Sequence, residues 1–139
     1  PLDFADLLTT IDGQAAPTQV APGLRPGHLH LHVGDIAPAL HFYHEVLGFT
    51  ITANLGSAAF FAAGGYHHHL AVNVWKGLDV PRAPAHAVGL HHWTIVVPSP
   101  ADVAAVSARV RATGITVDND DAGISLRDPW GMRVDVHAA

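Results

Sequence analysis

The chain has 139 residues, of which 49% are hydrophobic and 14% are Asp, Glu, Lys or Arg, and its formal net charge is −5 with histidine neutral. This length and composition predict one domain with a packed core. The seven scattered basic residues argue against a nucleic-acid surface, which needs clustered Lys and Arg. No apolar run reaches the roughly 18 residues of a membrane span.

Histidine is the unusual residue of this sequence. The chain has twelve histidines and no cysteine, so a metal site would have to use His, Asp or Glu. The first residues, PLDFADLL, lack the basic start and long apolar core of a secretory signal. A cytoplasmic location is therefore the expectation.

Residues 1–26 are predicted to be a helix and a linker that precede the domain. Apolar side chains fall on one side of a helix over residues 1–12, and residues 13–27 contain three Pro and three Gly. A start of this kind is compatible with an independent chain and with a connection from an upstream domain. The domain itself is predicted over residues 27–139.

A strand-helix-three-strand unit is predicted over residues 27–75. The unit opens with a strand at His28–Val33, and Asp35 is the expected N-cap of a helix at Ile36–Leu47 that ends at Gly48. Strand-like segments follow around 50–54, 58–62 and 66–75.

The same order of elements recurs over residues 89–139, after a connector at 76–88. His92–Val97 is the strand that corresponds to His28–Val33, and Ser99 caps a helix that begins at Pro100 and ends at Thr113. Strand-like segments follow around 115–118, 123–128 and 132–137. Neither unit buries a sheet face alone. We therefore predict an α+β fold in which paired βαβββ modules form a curved mixed sheet around a metal cleft.

Strand alternation puts three imidazoles on one face of the first strand. His28, His30 and His32 share that face, and Leu29, Leu31 and Val33 share the other. A single histidine in such a strand is more often a core or rim residue than a ligand. Three on one face, opposite a second strand that begins with His91 and His92, favour a site.

The last strand places Asp135 on one face with Arg133 and His137. Because a carboxylate in a packed strand is costly unless it is paired, Asp135 is either a surface ion-pair partner of Arg133 or a metal ligand. Two imidazoles and one carboxylate leave open coordination positions, as in non-haem Fe(II) sites, and the same set suits Mn, Ni or Zn.

The run Tyr66-His67-His68-His69 allows two alignments with the second module. Counted from the glycines Gly65 and Gly131, His69 corresponds to Asp135. Counted by the offset between the first strands of the two modules, Ala71 corresponds to Asp135. The counterpart of Asp135 in the first module is therefore either His69, which would be a fourth metal ligand, or Ala71, a small residue that leaves room for substrate. In the second case, His68 or His69 is free for proton transfer.

Four segments resemble the vicinal oxygen chelate superfamily, which contains glyoxalases, extradiol dioxygenases and bleomycin-resistance proteins. They are HLHLHVGDIAPALHFYHEVLGF, GGYHHHLAVNVW, GLHHWTIVV and RDPWGMRVDV. The resemblance covers about residues 27–137 and is closest to catechol 2,3-dioxygenase-like members. In those members a paired domain precedes this one.

The resemblance implies metal ligands at His28, His92 and Asp135 and a proton-transferring histidine at His68. The spacing of the run keeps His69 as a second catalytic candidate. The expected metal is Fe(II), with Mn, Ni or Zn as alternatives. The expected substrate is a small aromatic or vicinal-oxygen compound, and the expected protein partner is a second copy or an upstream paired domain.

The sequence departs from the extradiol pattern at three points. Asp135 replaces the usual glutamate, Ser125 stands where a tyrosine is usual, and a further histidine is missing from Gly114 to Asp128. An extradiol dioxygenase is the leading expectation. A glyoxalase-like lyase or isomerase with His69 as a fourth ligand is one alternative, and a metal-free small-molecule binding or resistance protein is the other.

Overall fold

The computed structural model of the chain describes residues 2–15, 18–84 and 86–139. Residue 1 of the predicted helix, residues 16–17 of the predicted linker and residue 85 of the predicted connector lie outside the described residues. None of the helices within these ranges is long and apolar enough to cross a membrane. The elements are α1 (Phe4–Thr9), β1 (Leu29–His32), α2 (Ile36–Leu40) followed by a π-helical segment (His41–Val46), β2 (Thr50–Asn54), β3 (Ala58–Ala62), β4 (Leu70–Asn73), β5 (His92–Val97), α3 (Pro100–Ala112), β6 (Asp118–Asp120), β7 (Gly123–Arg127) and β8 (Arg133–Ala138).

The strands form two four-stranded mixed sheets, one from each predicted module. The strand orders are β1-β4-β3-β2 and β5-β8-β7-β6. In both sheets the first strand lies at an edge and pairs in parallel with the last strand, while the other neighbours are antiparallel. Among the described strands, no hydrogen-bonded pairing joins the two sheets. The identical topology of the two halves confirms the predicted repeat and the α+β class.

The helix of each module begins where the sequence predicts, whereas α1, predicted over residues 1–12, spans only Phe4–Thr9. The Asp35 carboxylate accepts a hydrogen bond from the backbone N–H of Ala37 at 3.0 Å, and the Ser99 hydroxyl accepts one from Asp102 at 3.3 Å. The helix predicted from Ile36 to Leu47 is not α-helical throughout. Its second half is π-helical, and the N–H of Leu47 donates to the carbonyl of Phe42, five residues back, at 2.9 Å.

Two predicted strands are shorter than the sequence indicates. The segment predicted around 66–75 contains only the four-residue strand β4 (Leu70–Asn73), because the chain bends at residues 67 and 69 after the turn at Gly64 and Gly65, whose φ values are 64° and 77°. The segment predicted at 115–118 is irregular until Asp118, where β6 begins, and its apolar side chains Ile115 and Val117 pack against the core.

One hydrophobic core joins the two modules through their helical layer. Tyr43 of the π-helical segment is fully buried, and its hydroxyl donates to the Asp128 carboxylate at 2.7 Å. Arg109 of α3 donates to the carbonyl oxygens of Val46 and Leu47 at 2.7 and 2.8 Å. The apolar faces of both sheets are therefore turned toward the helices, and the opposite faces carry the histidines.

Candidate metal and proton-transfer site

The alternation predicted for the first strand of each module is present. On β1, His30 and His32 are exposed while Leu29 and Leu31 pack against the core. On β5, His92 is exposed and Trp93 packs inward. His28, which directly precedes β1, is also exposed, so the imidazoles of both modules lie on open faces of the sheets.

The strand register decides which residue of the first module corresponds to Asp135. His30 lies opposite Ala71 in the β1–β4 pair, and Thr94 lies opposite Asp135 in the β5–β8 pair. Since His30 and Thr94 are equivalent positions in the two first strands, Ala71 is equivalent to Asp135. The alignment by the constant offset is therefore the correct one, and His69 is two residues away from that position.

Asp135 is a buried carboxylate with two differently used oxygens. Asp135 is only 3% exposed to solvent. The Arg133 Nε donates to Oδ1 at 2.7 Å, while Oδ2 faces the Nε2 atom of His92 at 3.9 Å. The ion pair with Arg133, expected as one interpretation of this strand, is thus present. It leaves the second oxygen directed toward a predicted metal ligand.

His28, His67 and His68 form a compact imidazole cluster. The ring of His68 lies 4.5 Å from the ring of His28 and 4.5 Å from that of His67. Their ligand nitrogen atoms all lie within 4.8 Å of one another, and no other group of three potential metal ligands in the described ranges does so. His92 and Asp135 are not part of this group. The set His28, His92 and Asp135 therefore stays a prediction.

The histidine run lies in a bend rather than in β4, so strand alternation does not apply to it. His68 is the member whose ring packs on Phe60, at 5.1 Å, and on His28. Sequence reasoning did not select His67, although the run and the preceding glycines carried the signal.

His69 does not belong to this three-histidine group. Its Nδ1 accepts a hydrogen bond from the backbone N–H of Ala63 at 3.3 Å, and its ring packs against Tyr66 at 4.7 Å. These contacts tie the imidazole to the glycine turn that precedes β4.

The local environment favours a neutral imidazole at His68. Partial burial lowers the pKa of His68, and the positive charge that His28 carries when protonated lowers it further, followed by smaller effects from its other histidine neighbours. A neutral imidazole can accept a proton. His68 is therefore suited to proton transfer on this face of the sheet.

His30 is held by a buried asparagine. Asn73 is 4% exposed, and its side-chain oxygen accepts a hydrogen bond from the N–H of Trp75 at 3.1 Å. Its amide nitrogen therefore faces His30 and donates to Nε2 at 2.6 Å. This contact needs an unprotonated Nε2. Burial and the neighbouring His28 and His32 also lower the pKa of His30.

A depression of about 330 Å³ opens on the same face of the second sheet as Asp135. Ser125, which lies directly opposite Asp135 in the β7–β8 pair, is part of its lining. The remaining lining residues are Ile115, Thr116, Asp118, Leu126, Arg127 and Arg133. Its volume is in the range of small-molecule sites. Its lining includes Ser125 and Arg133, which neighbour Asp135, but neither Asp135 nor His92.

The topology and the histidine-bearing faces match a known protein family. A family model described as Glyoxalase/Bleomycin resistance protein/Dioxygenase superfamily matches residues 25–136. The chain belongs to this superfamily. The resemblance stated from the sequence motifs is thereby confirmed, and the superfamily match covers both modules.

Relatives within the superfamily carry several activities in their names. The chain is 41% identical over 105 residues to a catechol-2,3-dioxygenase of Bacillus subtilis (strain 168), covering 74% of this chain and 37% of that protein. It is 25% identical over 118 residues to the glutathione transferase FosA of Serratia marcescens, covering 79% of this chain and 77% of that protein. The chain thus spans little more than a third of the length of the dioxygenase.

Solved structures confirm the glyoxalase-like fold. The crystal structure of lactoylglutathione lyase from Agrobacterium tumefaciens aligns with a TM-score of 0.63 and 26% identity, over 86% of this chain and 96% of that chain. The fosfomycin resistance protein FosX from Mesorhizobium loti aligns with a TM-score of 0.61 and 15% identity, over 86% and 94% of the two chains. At that identity the second likeness concerns the fold alone.

Proposed function

We propose that this chain is the metal-binding domain of an extradiol-type dioxygenase that cleaves the ring of a small catecholic substrate. The observation that carries the proposal is the buried Asp135 carboxylate, which holds Arg133 on one oxygen and presents the other to His92. The 41% identity to a catechol-2,3-dioxygenase supports the same reaction class.

The donor chemistry of the residues fits a divalent metal ion. His92 Nε2 and Asp135 Oδ2 are 3.9 Å apart, close to the spacing of two atoms bound to one ion at roughly 2.0–2.2 Å each. His28 occupies the equivalent position of the first module and would supply the third ligand. A bound Fe(II) ion would act as Lewis acid and template for the two substrate oxygens and O2.

Each side chain around this set has a defined role in the proposal. Arg133 orients the Asp135 carboxylate and compensates its charge in a buried position. His68, kept neutral by its surroundings, accepts the proton of a substrate hydroxyl. Ala71, at the position equivalent to Asp135, leaves space for substrate.

Iron content tests the ligand assignment. Asp135→Ala is expected to lose bound Fe(II) after anaerobic reconstitution, whereas Arg133→Ala should retain most of it, because a positioning group contributes less than a ligand does. Asp121→Ala, which removes an exposed carboxylate, is the matched control. Wild-type iron content in Asp135→Ala would exclude the three-ligand assignment.

Oxygen uptake with catechol tests the reaction. His68→Ala is expected to keep its iron and to lose turnover by roughly 10²–10⁴-fold, the usual size of a general acid–base contribution. A wild-type protein that binds iron but consumes no O2 with catechol would refute the dioxygenase. Loss of metal in His69→Ala would instead favour the glyoxalase-like alternative with four ligands.

The remaining parts of the proposal concern the assembly. We propose that the domain works either as a homodimer or beside an upstream paired domain, since it spans 37% of the dioxygenase it matches. Sedimentation equilibrium of this chain separates the two arrangements. A cytoplasmic setting is part of the same proposal and is tested by cell fractionation.

A further inference from the structure

We propose that His28, His67 and His68 form a second metal-binding site, selective for divalent ions that prefer imidazole, such as Zn²⁺, Co²⁺ and Ni²⁺. The site differs in its donors from the proposed iron site, since it has three imidazoles and no carboxylate. It rests on the cluster itself; it shares His28, a ligand, and His68, the proton acceptor, with the proposed function, whereas His67 belongs to the second site alone.

The geometry of the cluster is close to that of a bound ion. At about 2.0–2.1 Å from metal to nitrogen, two nitrogen atoms on one tetrahedral ion are about 3.3–3.4 Å apart. The ligand atoms of the three histidines already lie within 4.8 Å of one another. Side-chain shifts of less than about one ångström each would therefore bring the three imidazoles onto one ion.

The local backbone allows two consecutive histidines to converge. In a strand, His67 and His68 would point to opposite faces. Here the turn at Gly64 and Gly65, with φ values of 64° and 77°, places both in a bend before β4, and their rings lie 4.5 Å apart.

Two of the three histidine side chains can adjust their positions to bind an ion. His67 and His28 are exposed, and both lie outside the regular strands, so their side chains can rotate without disturbing the sheet. His68 is half-buried against Phe60, which fixes one ligand in place. One preset and two adjustable imidazoles would hold an ion and leave its other coordination positions open.

The donor set determines which ions the site selects. Affinity of nitrogen donors for divalent metals rises from Fe²⁺ through Co²⁺ to Ni²⁺, and imidazole also suits Zn²⁺. Because His28 can bind only one ion at a time, occupation of this site and of the proposed iron site is mutually exclusive. Excess Zn²⁺ is therefore expected to displace Fe(II) from the protein.

Co²⁺ titration in an Asp135→Ala background isolates the second site. The probe is Co²⁺ alone, followed by its visible d–d absorption. Asp135→Ala/His67→Ala is compared with Asp135→Ala/His86→Ala, which removes an exposed histidine of the connector. Removal of His67 is expected to weaken Co²⁺ binding by at least about 10–100-fold. Loss of a residue that only hydrogen-bonds to a metal ligand already lowers affinity by that factor, and His67 would be a ligand itself.

The result that overturns the proposal is an equal Co²⁺ dissociation constant in these two double variants. His67→Gln in the same background repeats the test with a side chain of similar size, and circular dichroism verifies that each variant is folded. The outcome is independent of the proposed dioxygenase. That proposal fails if Asp135→Ala retains Fe(II), whereas this one fails only if His67 contributes nothing to Co²⁺ binding.

Discussion

The hydrogen bond between Tyr43 and Asp128 joins the two modules, and its removal should measurably weaken the fold. Tyr43 is fully buried and Asp128 is 6% exposed, and the hydroxyl donates to Oδ2 at 2.7 Å. The other carboxylate oxygen accepts from the backbone N–H groups of Trp130 and Met132 at 2.9 and 2.7 Å. Tyr43→Phe leaves those contacts in place and removes only the donor to Oδ2.

The expected cost follows from the charge and burial of the acceptor. A hydrogen bond to a charged group contributes about 1.5–3 kcal/mol, and a buried oxygen left without its donor keeps its desolvation penalty. The ring of Tyr43 still fills its position, so no cavity adds to the loss. We expect Tyr43→Phe to lower the free energy of unfolding by about 2–3 kcal/mol.

Urea unfolding followed by tryptophan fluorescence measures this loss, and thermal unfolding should show a decrease of roughly 8–12 °C for a domain of this size. Tyr66→Phe is the matched control, because Tyr66 is exposed and its substitution should change the free energy of unfolding by less than about 0.5 kcal/mol. A Tyr43→Phe variant as stable as this control would refute the reasoning, since the bond would then contribute nothing to the contact between modules.

Three further predictions concern stability. Burial raises the pKa of Asp128, although its hydrogen bonds oppose the shift. The native state therefore holds this proton more tightly than the unfolded state does. The free energy of unfolding of wild type relative to Asp128→Asn should fall as pH rises from about 4 through the raised pKa. Urea titrations at several pH values would check this. Ser99→Ala removes the cap of α3 and should cost about 1 kcal/mol in the same assay, and no change would contradict the role of the cap. Gly123→Ala would drive a methyl group into the backbone carbonyl of Val136 and should cost about 1–3 kcal/mol or more, whereas Gly89→Ala, which has open space around it, should be nearly neutral in thermal unfolding.

Much of the fold could be predicted because its signals are local. Asp35 and Ser99 cap helices in the structure as their positions predict, since a capping side chain needs only the next few residues of its own chain. The alternation of His and Leu in β1 requires only that the strand has one face packed on the core. The repeat of both patterns at one offset was enough to indicate two similar modules.

The π-helical turn shows where local signals end. The spacing of apolar residues from Ile36 to Leu47 does not distinguish an α-helix from a helix whose second half is π-helical. Contacts from the other module meet this segment, since Arg109 binds the carbonyl oxygens of Val46 and Leu47. Partners more than sixty residues away cannot be inferred from the periodicity of one helix.

Part of the candidate site could also be predicted from local sequence, and part depended on contacts between distant residues. The sequence by itself determined that histidines would lie on the open faces, that Asp135 would share its strand face with Arg133, and that the chain would have the glyoxalase-like fold. Only the tertiary structure decided that Ala71 is equivalent to Asp135, because register depends on hydrogen bonds between distant strands. It also decided that His67 meets His28, since a bend after two glycines, rather than strand periodicity, directs those rings.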